Sequence, residues 1–124
     1  KAEAHLPKAI EAIRQAGLAV LWSSDPMHGN VIKTKDGIKT RDFSAILAEL
    51  KQCFAIHQRV GSRLGGVHFE LTGEEVTECT GGSEGIDEKD LAKNYETFCD
   101  PRLNYSQSLE MAFVISSILH QQNG

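Results

Sequence analysis

The chain has 124 residues, 13 basic against 17 acidic side chains for a formal charge of −4, and 40% hydrophobic residues. That length suits one ordinary domain with a core, and charged residues at 24% with a mean hydropathy of −0.29 exclude general disorder. An isoelectric point near 5.7 offers no basic footprint for nucleic acid, and no apolar run approaches the roughly 18 residues of a membrane helix, so neither partner is expected.

Leu6, Ile10 and Ile13 recur at i, i+4 and i+7, with Pro7 suited to a first helical turn and Gly17 to the position after a helix end. This predicts a helix over about residues 6–16. Leu18–Trp22 follows as an unbroken apolar run ended by Asp25–Pro26, the pattern of a strand covered on both faces. Residues 23–41 are polar and glycine-containing and read as a long loop. Phe43, Ile46, Leu47, Leu50, Phe54 and Val60 trace one face of a second helix, with Thr40 or Asp42 as its cap and Gly61 as its stop. Gly66–Leu71 predicts a second strand, and residues 72–86 a second long loop holding Gly73, Gly81, Gly82 and Gly85. Asp87 and Asp90 form a box-like start for a short helix to about Glu96. Phe98–Leu103 is a weak strand or turn. Asn104 or Ser106 caps a last helix, with Leu109, Ala112, Phe113 and Leu119 on its expected buried side.

The order α-β-α-β-α-β-α, without repeat or linker, implies an α/β fold with right-handed crossovers and a parallel sheet. Such strands fit a small doubly wound domain or part of a (β/α)8 barrel, of which a chain this long would be roughly half. No glycine-rich nucleotide-binding fingerprint follows either clear strand.

Functional groups of parallel α/β folds gather at the carboxyl ends of strands. That selects His28 in DPMHGN, Glu70 in HFELTG and Asp100 in CDPRLN. An imidazole and two carboxylates from different strand ends can converge on one point, and a mixed N/O set suits Mn, Fe, Co or Zn. His68 and Glu70 share one side of their strand, where a buried glutamate needs a cation or donor. Each group also has a plainer reading: a turn at Asp25–Pro26, a loop histidine at 28, a solvated strand end at Glu70. His5, His57 and His120 fall on helices, as solvent-facing or packing residues. The basic residues Lys33, Lys35, Lys39 and Arg41 make either a solvated loop or a phosphate-binding one. Cys53 is a small core filler. Cys79 sits in a glycine-bearing loop that could bring a backbone amide near a phosphate. The three cysteines form no CxxC pair, which fits a reducing, cytoplasmic compartment.

Taken together, DPMHGN, IKTKDGIKTRDFSAILAEL, GGVHFELTGEEVTECTGG and CDPRLNYSQSLEMAF resemble class II (plant-type) 3-deoxy-D-arabino-heptulosonate 7-phosphate (DAHP) synthase, over about residues 6–119. The resemblance implies that residues 1–124 are the C-terminal segment of one (β/α)8 barrel domain, about three βα units with a preceding helix and no internal boundary. His28, Glu70 and Asp100 match the family's metal ligands. The metal is divalent, manganese ahead of cobalt, iron or zinc. The family's fourth ligand, a cysteine on an early strand, matches none of Cys53, Cys79 or Cys99, and the residues gripping the substrate phosphates lie on earlier strands. The implied reaction condenses phosphoenolpyruvate with D-erythrose 4-phosphate to DAHP and phosphate, the first step of the shikimate pathway. A homo-oligomer is the expected assembly and the cytoplasm the expected place, or the plastid for a plant protein. Another metal-dependent (β/α)8 aldolase or hydrolase, or a non-catalytic module derived from a barrel, are the competing readings. The missing initiator methionine at Lys1 and the start inside a helical pattern fit a segment of a longer chain, and the segment alone is expected to be inactive.

Overall fold

The computed structural model describes residues 1–123. Helix α1 (Ala2–Gln15) starts at Ala2 rather than near residue 6, which places Pro7 inside the helix instead of at its first turn. Ala2, Glu3 and Ala4 are strong helix formers, and Glu3 faces the positive end of the helix dipole. The helix closes as expected at Gly17, whose φ of +68° an L side chain rarely adopts. There Gly17 N–H donates to Arg14 O (3.0 Å) and Leu18 N–H to Ile13 O (3.3 Å).

The first strand is shorter than the apolar run suggests, and the run is not covered. Strand β1 is Trp22–Ser24, and Leu18, Val20 and Leu21 are exposed, Leu21 to 82%. Pairing begins only at Trp22, where β4 (Leu64–Val67) lies parallel, and among the described residues no strand lies beside the run. The polar stretch after β1 is not one loop. It holds a 3-10 turn (His28–Asn30) and an antiparallel hairpin of β2 (Val31–Lys33) and β3 (Lys39–Arg41), in register Val31↔Arg41 and Lys33↔Lys39. The hairpin closes through Thr34, whose N–H donates to Ile38 O (2.9 Å) and whose hydroxyl accepts from Ile38 N–H (3.1 Å).

Helix α2 (Phe43–Arg59) has the predicted face and ends. Asp42 Oδ1 accepts from Ala45 N–H (3.0 Å), and Gly61 (φ +69°) terminates it with Ser62 N–H on His57 O (2.8 Å). Its Ile46, Leu50, Cys53 and Phe54 pack with Met27, Leu64, Cys79, Leu103 and Met111 into one core. Burying a side chain of this size stabilises the fold by about 1.5–3 kcal/mol. His57 is a packing residue: buried, its ring 5.6 Å from that of Trp22 and Nδ1 3.0 Å from Ser62 Oγ, with its pKa pushed down by burial.

After β4, His68 N–H donates to Ser24 O (2.7 Å), so the parallel pairing runs past the strand's end. The expected third strand shrinks to a parallel bridge, Leu71↔Leu103, where Leu103 N–H donates to Glu70 O (3.0 Å) and Thr72 N–H to Leu103 O (2.9 Å). The box at Asp87 forms, with Asp87 Oδ1 accepting from Lys89 N–H (2.9 Å) and Asp90 Oδ2 from Asp87 N–H (3.0 Å). The helix it starts is only the 3-10 turn Leu91–Lys93. Asn94 leaves helical geometry, its carbonyl accepting from Thr77 N–H (2.9 Å) and its N–H donating to Thr77 Oγ1 (2.9 Å).

Helix α3 (Tyr105–Asn123) is capped by Asn104, Asn104 Oδ1 accepting from Gln107 N–H (2.9 Å) and Gln107 Oε1 from Asn104 N–H (3.0 Å). Its buried side differs from the expected one. Gln107 Nε2 donates to Cys79 O (3.1 Å) and Gly81 O (3.2 Å), which turns Met111, Ile115 and Ile118 to the core. Leu109, Ala112, Phe113 and Leu119 face outward, Phe113 to 70%. The architecture is α/β, with helices packed beside short parallel pairing, and no described helix is long and apolar enough to cross a membrane.

Leu50→Ala is expected to cost about 2–5 kcal/mol in urea unfolding of this chain, because it opens a cavity among packed side chains. Phe113→Ala is expected to change it by less than about 0.5 kcal/mol. Equal losses would mean that the outward assignment of Phe113 is wrong.

Candidate metal centre

The carboxyl end of β1 is organised by Asp25. Its Oδ1 accepts from Met27 N–H (3.0 Å) and His28 N–H (3.1 Å), which turns the chain sharply into the 3-10 turn. Its Oδ2 lies 2.7 Å from His28 Nδ1, so that ring nitrogen is engaged and Nε2 points the other way. Burial alone would raise the Asp25 carboxyl; the N–H groups of His28 and Met27 and the His28 ring outweigh it and hold it below its ordinary value. Asn30 Nδ2 donates to Pro26 O and to Glu49 Oε2, each at 2.7 Å, tying the turn to α2.

Past the end of β4, Glu70 Oε1 lies 3.1 Å from His28 Nε2. Asp100 comes from the segment before Leu103, and one donor atom of each of His28, Glu70 and Asp100 lies within 4.8 Å of the others. The residues selected by strand-end position are therefore brought together. Asp25, His28 and His68 form an overlapping group, with the His68 ring stacked at 5.7 Å on that of His28. A nitrogen with carboxylate oxygens at this spacing is a donor set that a divalent cation of the Mn, Fe, Co or Zn kind can accept.

Sequence reasoning missed the charges that face these carboxylates. Lys33 and Lys35 stay in solvent, but Lys39 and Arg41 turn inward, so the reading of these four as one solvated loop does not hold. Lys39 Nζ pairs with Asp100 Oδ1 and, through that hydrogen bond above all, holds the Asp100 carboxyl below its ordinary value. Arg41, fully buried, pairs through Nη1 with Glu70 Oε2 and donates from the same atom to Pro101 O (2.6 Å). Its Nε and Nη2 are buried without a hydrogen-bond partner among the described residues. The available signal was Asp36–Gly37, a hairpin dipeptide, which makes Lys39 and Arg41 alternate positions of one strand and so neighbours on one face. The intervening Thr40 points the other way, its hydroxyl donating to Glu78 O (2.7 Å).

Glu78 lies in the loop between residues 72 and 86, which contains no helix or named strand yet is buried at Val76, Glu78 and Cys79. Its Oε1 accepts from Arg102 N–H (3.0 Å) and Nε (2.9 Å). Its Oε2 accepts from Glu96 N–H (3.1 Å), Thr97 N–H (3.0 Å) and Arg102 Nη2 (2.8 Å). Burial alone would raise this carboxyl; the Arg102 side chain first, then the backbone donors, hold it below the ordinary 4.5. Cys79 is enclosed, burial pushing its thiol up to about 12, and its neighbour Thr80 spends its N–H on Arg41 O (2.9 Å). Cys53 lies in the core and Cys99 is exposed.

The class-II DAHP synthetase family model matches residues 1–116. Among curated proteins the chain is 49% identical over 114 residues to a phospho-2-dehydro-3-deoxyheptonate aldolase of Mycolicibacterium smegmatis, covering 92% of this chain and 25% of that protein. It is 50% identical over 119 residues to one of Neurospora crassa (94% and 25%) and 47% identical over 117 residues to one of Streptomyces coelicolor (94% and 26%). The chain thus spans about a quarter of the length of these relatives.

Stability contributed by Glu78 is present above about pH 4.5, its unfolded value, and is lost as the pH falls through the lower folded value. Glu78→Gln should therefore unfold more easily than the wild type near neutral pH, and its stability should fall less steeply below pH 4.5 in urea titrations. Parallel acid limbs would contradict this. With iodoacetamide at neutral pH, Cys99 is expected to react in the folded protein while Cys53 and Cys79 stay protected, as peptide mass mapping would show.

Proposed function

Because the chain belongs to the class-II DAHP synthetase family, we propose that it is the C-terminal part of a single (β/α)8 barrel domain in which His28, Glu70 and Asp100 hold a divalent metal ion, manganese ahead of cobalt, iron or zinc. The whole protein then condenses phosphoenolpyruvate with D-erythrose 4-phosphate to give DAHP and phosphate. One observation carries this reading: residues far apart in sequence, His28 past β1, Glu70 past β4 and Asp100 in the loop before Leu103, offer N and O donors within 4.8 Å of one another. The family match over residues 1–116 favours it over another metal-dependent barrel aldolase or hydrolase.

The donor set fits the ion, and a metal bound there would supply Lewis-acid polarisation of the aldehyde oxygen of erythrose 4-phosphate. The chain's own residues prepare that position. Asp25 takes Nδ1 of His28 and leaves Nε2 for coordination. Arg41 takes Oε2 of Glu70 and leaves Oε1, which already faces His28. Lys39 takes Oδ1 of Asp100 and leaves the other oxygen. Each candidate ligand thus has one donor atom held by a residue outside the set, which fixes its rotamer before any ligand arrives. Lys39 and Arg41 also offset the charge of Glu70 and Asp100 where two anionic substrates must approach.

Residues gripping the substrate phosphates, and the family's cysteine ligand, belong to other strands of such a barrel. The exposed Leu18, Val20, Leu21 and Phe113 suit burial against further protein, within the barrel or in a homo-oligomer. The free thiols fit a reducing compartment, the cytoplasm or a plastid.

In the complete protein, His28→Ala, Glu70→Gln and Asp100→Asn should each weaken Mn2+ binding, measured calorimetrically, and abolish DAHP formation. The loss should exceed the roughly 10–100-fold that removing a ligand's hydrogen-bond partner costs. Unchanged Mn2+ affinity in these variants would sink the proposed site.

A further inference from the structure

The segment 96–102, which carries Asp100, has no helix or strand of its own; Glu96, Phe98 and Cys99 are exposed, and Pro101 is buried. We infer that Glu78 is a positioning residue for Asp100, its buried carboxylate holding this segment in the shape that presents Asp100 to His28 and Glu70. The inference rests on the metal-binding reading above.

Backbone N–H groups at both ends of the segment converge on Glu78: those of Glu96 and Thr97 on Oε2 and that of Arg102 on Oε1. The Arg102 guanidinium adds Nε on Oε1 and Nη2 on Oε2, a two-point clasp that fixes the carboxylate plane. Between these anchors Thr97 Oγ1 donates to Asp100 O (2.7 Å) and accepts from Cys99 N–H (3.2 Å), so the loop is closed on itself around Asp100. Glu78 is fully buried and its own backbone is fixed, its carbonyl accepting from Thr40 Oγ1. Thr40 stands between Lys39 and Arg41, the residues paired with Asp100 and Glu70. Glu78 therefore joins the strand that supplies the counter-charges to the loop that supplies a ligand.

An ionised carboxylate is the side chain this arrangement demands. Each of its oxygens faces donors only, and an amide has one acceptor oxygen, its NH2 being a donor. In Glu78→Gln the NH2 must face either Arg102 N–H and Nε or the Glu96, Thr97 and Nη2 group, and one end of the segment loses its acceptor.

In the complete protein, Glu78→Gln is expected to weaken Mn2+ binding, measured calorimetrically with the metal alone, by about tenfold. Combined with Asp100→Asn it should add nothing beyond the loss from Asp100→Asn. Hydrogen exchange should quicken at the Thr97, Cys99 and Arg102 amides while α2 amides keep their protection. If Glu78→Gln does not fold, Thr97→Val, which removes only the hydroxyl clasp, should weaken Mn2+ binding in the same direction by a smaller factor. A wild type that binds Mn2+ with both substitutions leaving its affinity unchanged, or losses from Glu78→Gln and Asp100→Asn that simply multiply, would overturn the role of Glu78 while leaving the metal site standing. A wild type that takes up no Mn2+ would overturn the site itself and this inference with it.

Discussion

The buried guanidinium of Arg41 is the constraint around which the candidate centre is arranged. Removing such a group from water carries a desolvation penalty of several kcal/mol, tolerated only where charge and hydrogen bonds meet it. Glu70 supplies the charge and Pro101 O a further acceptor. Glu70 lies past β4 and Pro101 in the Asp100 segment, so one cation ties β3 to both. Replacing Arg41 by a neutral residue would leave Glu70 beside Asp100 without its own counter-charge, Lys39 remaining on Asp100. Lys39 repeats the arrangement at the rim, where solvent weakens it.

The candidate ligands were legible in the sequence because the rule that selects them needs only chain direction: in parallel α/β folds, chemistry collects where strands end. His28 and Glu70 satisfy it past β1 and β4, short as these are; Asp100 lies before the bridging Leu103 and reaches the same place from the loop that leads into it. Their partners follow no such rule, and only the Asp36–Gly37 dipeptide hints at the strand that holds Lys39 and Arg41. Lys39 and Arg41 lie in a strand of three residues, too short for periodicity to register, within a stretch whose glycines and lysines resemble solvated loop. Glu78 carries no motif, and only the folded chain shows donors converging on it.

The misread helices fail for a related reason. Asp87 and Asp90 do make a local helix start, but Thr77 and Glu78 capture the backbone of residues 94–97 and the helix stops. In α3 the spacing of Leu109 and Phe113 suggests a buried stripe. The Asn104–Gln107 cap and the Gln107 bonds to Cys79 O and Gly81 O rotate the helix so that Met111 points inward. Polar anchoring overrode the apolar pattern in both. Where no long-range polar group intrudes, as along α2, the sequence pattern and the structure agree from cap to stop.

The bonds that build the centre join residues distant along the chain: Lys39 to Asp100 across 61 positions, Arg41 to Pro101 across 60, and Glu78 to Arg102 across 24. The helices, by contrast, close through neighbours a turn apart. Contacts this distant carry a larger loop-closure entropy cost than the turn-to-turn bonds of the helices. Local opening releases surface segments with few apolar contacts before packed helices. The 96–102 segment is held to the framework by polar ties to Glu78 and Arg41, so the centre depends on those ties more than on apolar packing.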